Sequence, residues 1–247
     1  MRMFAGPNGS GKSTLKTVLP TELLGIYLNP DEIEFQIRST GALVVADYGV
    51  IGDLDLNEFI LQFFQRSGFL KSVGLDSTVA NLKVIKGTVD FSGIEINSYH
   101  ASVATDCLRQ LLLKQKASFT FETVMSSPEK VKLLETAQSL GYRTYLYYVA
   151  TKDPAINIFR VQHRVATGGH PVPEDKIIGR YFRSLDLLID AVRKTNRAYI
   201  FDNSGHNRGP IWLAEITDGH SLEVKSTEMP GWFEDAYLKK HQNDIRN

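Results

Sequence analysis

Gly6-Pro7-Asn8-Gly9-Ser10-Gly11-Lys12-Ser13-Thr14 decides the reading of this chain. It has a glycine, four residues, then Gly-Lys-Ser, the spacing of a phosphate-binding P-loop. Gly9 and Gly11 let the backbone take dihedrals that a β-carbon forbids, so successive N–H groups can turn inward on an anion. Lys12 places an ammonium near the β- and γ-phosphates, and Ser13 offers a hydroxyl to Mg²⁺. A helix predicted from Thr14 to Leu19 points its positive end at the same place. The apolar stub before the loop and the helix after it are the context the motif requires. The loop therefore implies a bound nucleoside triphosphate, cradled by Gly6, Asn8, Gly9, Ser10, Gly11, Lys12, Ser13 and Thr14.

The chain has 247 residues, enough for one large α/β domain and a real core. Its 28 basic residues balance 28 acidic ones, so no basic excess points to a nucleic-acid surface. Cys107 is the only cysteine, which excludes an intrachain disulfide and a cysteine zinc cluster. The P-loop lies where a signal peptide's apolar core would fall, and no apolar run is long enough to span a bilayer. The expectation is a cytoplasmic protein with no membrane partner. Met1 to Ala5 is short for a first strand, so a natural start further upstream is expected.

Downstream of the loop, strands and helices alternate. The predicted fold is α/β, a P-loop NTPase with a mostly parallel sheet covered by helices on both faces. Gly25 to Asn29 reads as a short strand ended by Pro30. Asp31 follows at its carboxyl edge, where open α/β sheets bind ligands. It either faces the triphosphate or caps the helix from Glu32. From about 39 to 97 the pattern departs from a compact kinase, and this stretch is read as an insertion or small cap within a single domain covering 1–247. Its aromatic stripe, Leu56, Phe59, Ile60, Phe63 and Phe64, marks one helix face and is assigned to core. Asn97 or Ser98 caps a helix from Tyr99 to Lys116. Ser118 to Val124 is a strand with Glu122 and Thr123 at its carboxyl end. An acid there suits Mg²⁺, paired with Ser13, or else caps the helix after Pro128.

Two further helices, Asp153 to Arg164 and Glu174 to Arg193, flank Gly168-Gly169-His170-Pro171-Val172-Pro173. Arg160, Arg164, Arg180 and Arg183 around this glycine hinge read either as a phosphate lid or as a solvated basic face. A strand from Ala198 leads into Asn203-Ser204-Gly205. A hairpin across Asp218-Gly219 and a helix from Trp232 to His241 close the chain.

In this order the motifs resemble the zeta-toxin family of P-loop kinases, whose best-known members phosphorylate UDP-N-acetylglucosamine. The resemblance rests on Gly6 to Thr14, Asn29-Pro30-Asp31-Glu32, Phe121-Glu122-Thr123, Arg164-Val165, Gly168-Gly169-His170, Val172-Pro173 and Arg180-Tyr181. It implies that Asp31 is the base for the acceptor hydroxyl, Lys12 the phosphate lysine, Ser13 and Glu122 the magnesium site, and Arg164 a lid arginine. A second lid arginine of the family has no counterpart before Val172-Pro173, where His170 stands; Arg180 or Arg183 replaces it. The resemblance also implies acceptor contacts from Tyr99 and His100, with Asp31, Glu122, Thr123 and His170 as further candidates. It implies a nucleotide-sugar acceptor and, for a toxin, an antitoxin partner. Two alternatives stand beside it: an ATP-driven switch read by a protein partner, and a nucleic-acid end kinase, which the neutral charge does not support.

Overall fold

The computed structural model describes residues 1–52, 54–167, 169, 171–205 and 209–246. Its strands, numbered along the chain, are β1 (Arg2–Ala5), β2 (Ile26–Leu28), β3 (Ala42–Val44), β4 (Lys83–Ile85), β5 (Thr88–Asp90), β6 (Phe119–Thr123), β7 (Tyr145–Ala150), β8 (Arg197–Asp202), β9 (Ile211–Thr217) and β10 (Ser221–Val224). The chain divides into two compact units, one made of Met1–Leu24 with Phe121–Asn247, the other of Gly25–Thr120.

The first unit is built on a sheet in the order β10-β9-β8-β7-β1-β6. β1 pairs parallel with β7 from Arg2↔Tyr145 to Ala5↔Tyr148, and β7 pairs parallel with β8 from Tyr145↔Arg197 to Ala150↔Asp202. Met3, Phe4, Ala5, Leu146, Tyr148, Val149 and Ala150 are wholly buried, as the continuous apolar runs of central parallel strands demand. The mostly parallel α/β sheet expected from the alternating pattern is present. The C-terminal hairpin joins its far edge antiparallel, β9 against β8 with an irregularity at Ile200/Phe201, and β10 against β9. Its turn carries Asp218 at φ 49° and Gly219 at φ 77°, the left-handed pair that a tight hairpin needs. The predicted helix Glu174 to Arg193 divides at Leu187 into Glu174–Asp186 and Leu188–Arg193. Trp232, Phe233 and Tyr237 anchor the C-terminal helical segment, with the last two rings stacked at 5.5 Å.

The second unit holds a small antiparallel sheet, β3-β5-β4, among the helices Pro30–Thr40, Leu54–Gln65, Gly68–Ser72 and Ser98–Lys114. It extends beyond the predicted 39–97 because the helices on either side of that stretch, Pro30–Thr40 and Ser98–Lys114, pack on each other. The aromatic stripe splits, which corrects its assignment to core. Ile60 and Phe64 are wholly buried, and Phe64 meets Phe91 edge-on at 5.5 Å. Phe59 and Phe63 instead line a cleft of about 420 Å³, with Phe69, Val103, Gln62 and Arg66. The stripe is wider than one helix face can bury against a single neighbour, so part of it is left at the surface. Among the described residues, no helix is long and apolar enough to cross a membrane.

Candidate functional site

The P-loop leaves β1 and runs into a helical turn, Lys12–Val18, of 3₁₀ type rather than the α-helix expected from Thr14. The threonines explain the tightening. Thr14 Oγ1 donates to the Gly11 carbonyl at 2.5 Å and Thr17 Oγ1 to the Thr14 carbonyl at 2.7 Å, both three residues back, which favours the shorter repeat. Gly9 and Gly11 adopt φ of 73° and 97°. Both also need to be small. A β-carbon on Gly9 would lie 2.5 Å from the Asn157 carbonyl oxygen, and one on Gly11 2.2 Å from Asn203 Nδ2. Lys12 Nζ arches back to donate to the carbonyls of Gly6 (2.9 Å) and Pro7 (3.0 Å), closing the loop into a ring of backbone.

Ser13 Oγ donates to Glu122 Oε2 at 3.2 Å. The two metal candidates, far apart in sequence, thus meet because β6 delivers its last acid beside the first turn after the loop. Glu122 is buried while Ser13 is exposed. A hydroxyl beside a carboxylate is a hard-oxygen pair that fits Mg²⁺, which draws its remaining ligands from phosphates and water. No cluster of three or more His, Cys, Asp or Glu suited to a metal exists among the described residues. Thr123 works locally: its carbonyl accepts the Gly6 N–H at 3.3 Å and its hydroxyl accepts the Met125 N–H at 3.1 Å.

The arginine helices divide their roles. Arg180 Nη1 donates to Asn8 Oδ1 at 3.4 Å, placing one arginine of the helix Glu174–Asp186 on the loop itself. Arg160, on Pro154–Ala166, donates through Nη2 to the Gly205 carbonyl at 3.1 Å. Burial lowers its pKa, opposed by the Asp202 carboxylate. Arg183 donates to the Ser126 carbonyl at 3.3 Å. Arg164 is exposed, and its carbonyl caps the helix by accepting from Gly169 N–H (2.9 Å) and Thr167 Oγ1 (2.9 Å). Two buried donors, Ser10 Oγ and Arg160 Nη1, have no hydrogen-bond partner among the described residues. The Ser10 hydroxyl, left unpaired within the left-handed glycine loop, suits an anionic, acceptor-rich ligand such as a triphosphate. Gly168 and His170 lie outside the described residues.

Sequence reasoning missed two asparagines. Asn157 is wholly buried and donates through Nδ2 to the Asn8 carbonyl at 2.5 Å, while its Oδ1 accepts from Thr151 Oγ1. Asn203 donates through Nδ2 to the Ser10 carbonyl at 2.8 Å. The available signal for Asn157 was a poor helix former inside a helix. For Asn203 it was a polar turn at the carboxyl end of a buried strand.

In the other unit, Asn29 caps the helix Pro30–Thr40, its side chain accepting from Asp31 N–H at 2.8 Å and Glu32 N–H at 3.4 Å. Asp31 is therefore not the cap. It is an exposed carboxylate in the first helical turn, where the helix dipole favours its charge. Asn97 caps Ser98–Lys114 with His100 as the reciprocal partner. His100 Nε2 lies 2.9 Å from Thr78 Oγ1, and Nδ1 faces the Asn97 N–H at 3.4 Å and Asn97 Oδ1 at 3.0 Å. The ring is wholly buried and burial lowers its pKa, in keeping with a neutral imidazole. Both ring nitrogens of His100 are thus engaged within the fold. Tyr99 remains part-exposed and packs against Phe69 at 5.6 Å.

Residues 95–208 match the model of the Zeta toxin family. Over that span the chain is zeta-toxin-like. The match takes in β6 with Glu122 and both arginine helices, and it starts after the P-loop. An uncharacterized protein of Haemophilus influenzae is 24% identical over 178 residues, 72% of this chain and 89% of that one. Among solved structures, the AvrRxo1-ORF1:AvrRxo1-ORF2 complex with sulphate ions aligns at TM-score 0.53 and 11% identity. The same complex with ATP aligns at 0.52 and 12%. Each comparison covers 97% of this chain and 62% of the other, so this chain spans less than two thirds of these neighbours. At such identities the likeness is one of fold.

Proposed function

We propose that the protein is an ATP-dependent kinase that transfers the γ-phosphoryl group to a hydroxyl of a small acceptor, a nucleotide sugar such as UDP-N-acetylglucosamine. The observation that carries this reading is the Ser13–Glu122 pair at the mouth of a glycine loop closed by Lys12. The loop's N–H groups and Lys12 bind the β- and γ-phosphates. Ser13 and Glu122 would hold Mg²⁺, which when bound offsets the charge of the phosphates. Asp31 orients the acceptor hydroxyl and takes its proton. The new bond forms between the acceptor oxygen and the γ-phosphorus as the β–γ bridging bond breaks, and ADP leaves. Arg164 and Arg180 stabilise the charge spread over the transferred group. The proton departs late in such a loose transition state, so a carboxylate of ordinary basicity suffices at Asp31. A cytoplasmic setting, with its ATP supply, goes with this reading.

The test is ADP release by the purified chain with Mg·ATP, with and without a panel of small hydroxyl acceptors, nucleotide sugars first. Acceptor-dependent ADP release together with a new phosphomonoester supports the kinase. ADP release that ignores every acceptor sinks it. A protein partner is the second reading, favoured by the fact that the AvrRxo1-ORF1 neighbour was solved with a second chain, AvrRxo1-ORF2. Such a partner, an antitoxin in the zeta-toxin case, would be recognised by a stable complex with the purified chain and loss of phosphoryl transfer on complex formation.

A further inference from the structure

Hydrogen bonds from both arginine-bearing helices end on one residue of the P-loop, Asn8. From the helix Pro154–Ala166, Asn157 Nδ2 donates to the Asn8 carbonyl at 2.5 Å. From the helix Glu174–Asp186, Arg180 Nη1 donates to the Asn8 side-chain oxygen at 3.4 Å. The same two helices are also joined through Thr151, just after β7. The Thr151 hydroxyl donates to Asn157 Oδ1, and the Thr151 carbonyl accepts the Tyr181 hydroxyl at 2.6 Å. Thr151 and Asn157 are wholly buried and Tyr181 is nearly so, with its phenol pKa pushed up to about 12 by that burial.

The chemistry of the set is directional. Thr151 donates to Asn157 Oδ1 and thereby fixes which end of the amide faces the loop, leaving Nδ2 to hold the Asn8 carbonyl. A held carbonyl fixes the peptide plane between Asn8 and Gly9, and so the direction of the Gly9 N–H. Asn203 does the same two peptides further on, gripping the Ser10 carbonyl at 2.8 Å and fixing the Gly11 N–H, while its own N–H is held by the Ala150 carbonyl at 2.8 Å. Two alternate peptide planes of the loop are thus set from outside it.

We propose that Thr151, Asn157, Tyr181 and Asn203 form a positioning network. It aims the P-loop N–H groups and holds the two arginine helices in register with the loop, so that phosphate binding and lid geometry are set by one set of buried hydrogen bonds. The proposal rests on the nucleotide-site reading of the loop. Preorganised donors cost no reorganisation when charge develops, which gives such a network its value.

Thr151→Val tests it, because the substitution keeps the side chain's shape and removes only the hydroxyl, and Thr151→Ser restores the hydroxyl. The measurements are thermal unfolding, affinity for a fluorescent ATP analogue with Mg²⁺, and the separate kcat and KM for ATP, all well below the unfolding temperature. The expected result is a roughly tenfold or greater loss of analogue affinity with Thr151→Val, a matching rise in KM, and recovery with Thr151→Ser. Asn157→Asp, which turns a donor into an acceptor facing the Asn8 carbonyl, gives a larger loss. If Asn157→Asp does not fold, Thr151→Val decides alone. A purely structural role lowers the unfolding temperature and leaves affinity and KM unchanged, and that outcome overturns the proposal. A wild-type chain that binds no analogue overturns the nucleotide reading itself and the network with it. Wild-type binding with an unaffected Thr151→Val removes only the network.

Discussion

The two compact units treat their candidate residues differently. In the first, candidates far apart in sequence are paired: Ser13 bonds Glu122, Arg180 bonds Asn8, and Lys12 closes the loop on the Gly6 and Pro7 carbonyls. In the second, each candidate has a local occupation of its own. Asp31 sits in a capped first turn, His100 completes a capping box, and Tyr99 packs on Phe69. Phosphate chemistry needs many donors converging on one anion, so its site must be built as a network. An acceptor needs one base and a surface of fitting shape, and the residues supplying them can be individually unremarkable. On the proposed reading, the phosphate site is recognisable from connectivity, and an acceptor site only from its effect on turnover.

That contrast can be broken at its weakest joint first. Asp31→Asn should lower phosphoryl transfer by about 10³-fold, the range of a lost general base, while leaving ATP affinity nearly unchanged. Near-full activity in this variant removes Asp31 and leaves the second unit without a catalytic role. Lys12→Ala should cost at least ~10²-fold in turnover and weaken nucleotide binding as well. Retained ATP-dependent transfer would overturn the P-loop assignment. Arg164→Ala should reduce turnover about tenfold, more than it reduces affinity, as expected for one charge-assisted hydrogen bond made chiefly in the transition state. Unchanged steady-state rates would return Arg164 to the solvated surface.

His100→Ala sharpens the contrast from the other side. It should destabilise the fold by about 2 kcal/mol through the lost cap and leave nucleotide affinity untouched, read by denaturant unfolding and analogue titration. The wild-type chain carries a related pH signature. His100 is held neutral with its pKa below the ordinary 6.5, so on acidification the unfolded chain binds its proton first. Its contribution is intact above about pH 6.5 and is lost as the pH falls from there through the lowered folded value. An unfolding free energy in which His100→Ala leaves that slope unaltered would show that the ring is not the titrating group.

Much of the site was legible in the sequence where chemistry constrains neighbours along the chain. Glycine, lysine and serine at fixed spacing serve one anion. Glu122 ends a run of buried strand residues, which placed it at a carboxyl edge. Asn97 could be read as a cap because capping is a local event. The aromatic stripe misled for the opposite reason: periodicity says that Phe59, Ile60, Phe63 and Phe64 share a side of the helix, but not how much of that side a neighbour covers. Asn157 and Asn203 were illegible because nothing within their own segments reveals that a backbone carbonyl of a distant loop will be their acceptor. The bond of His100 to Thr78 was illegible for the same reason, since that partner comes from another turn of the chain.

The sequence by itself determined the P-loop motif, the alternation of strand and helix, and the parallel sheet that follows from it. These follow from local stereochemistry and from the covalent order of the motif. Tertiary structure alone decided that Ser13 meets Glu122, that two buried asparagines set the loop's peptide planes, and that the helix Ser98–Lys114 belongs to the second unit. Each of those is a contact between segments far apart in the chain, fixed by which surfaces the fold buries together.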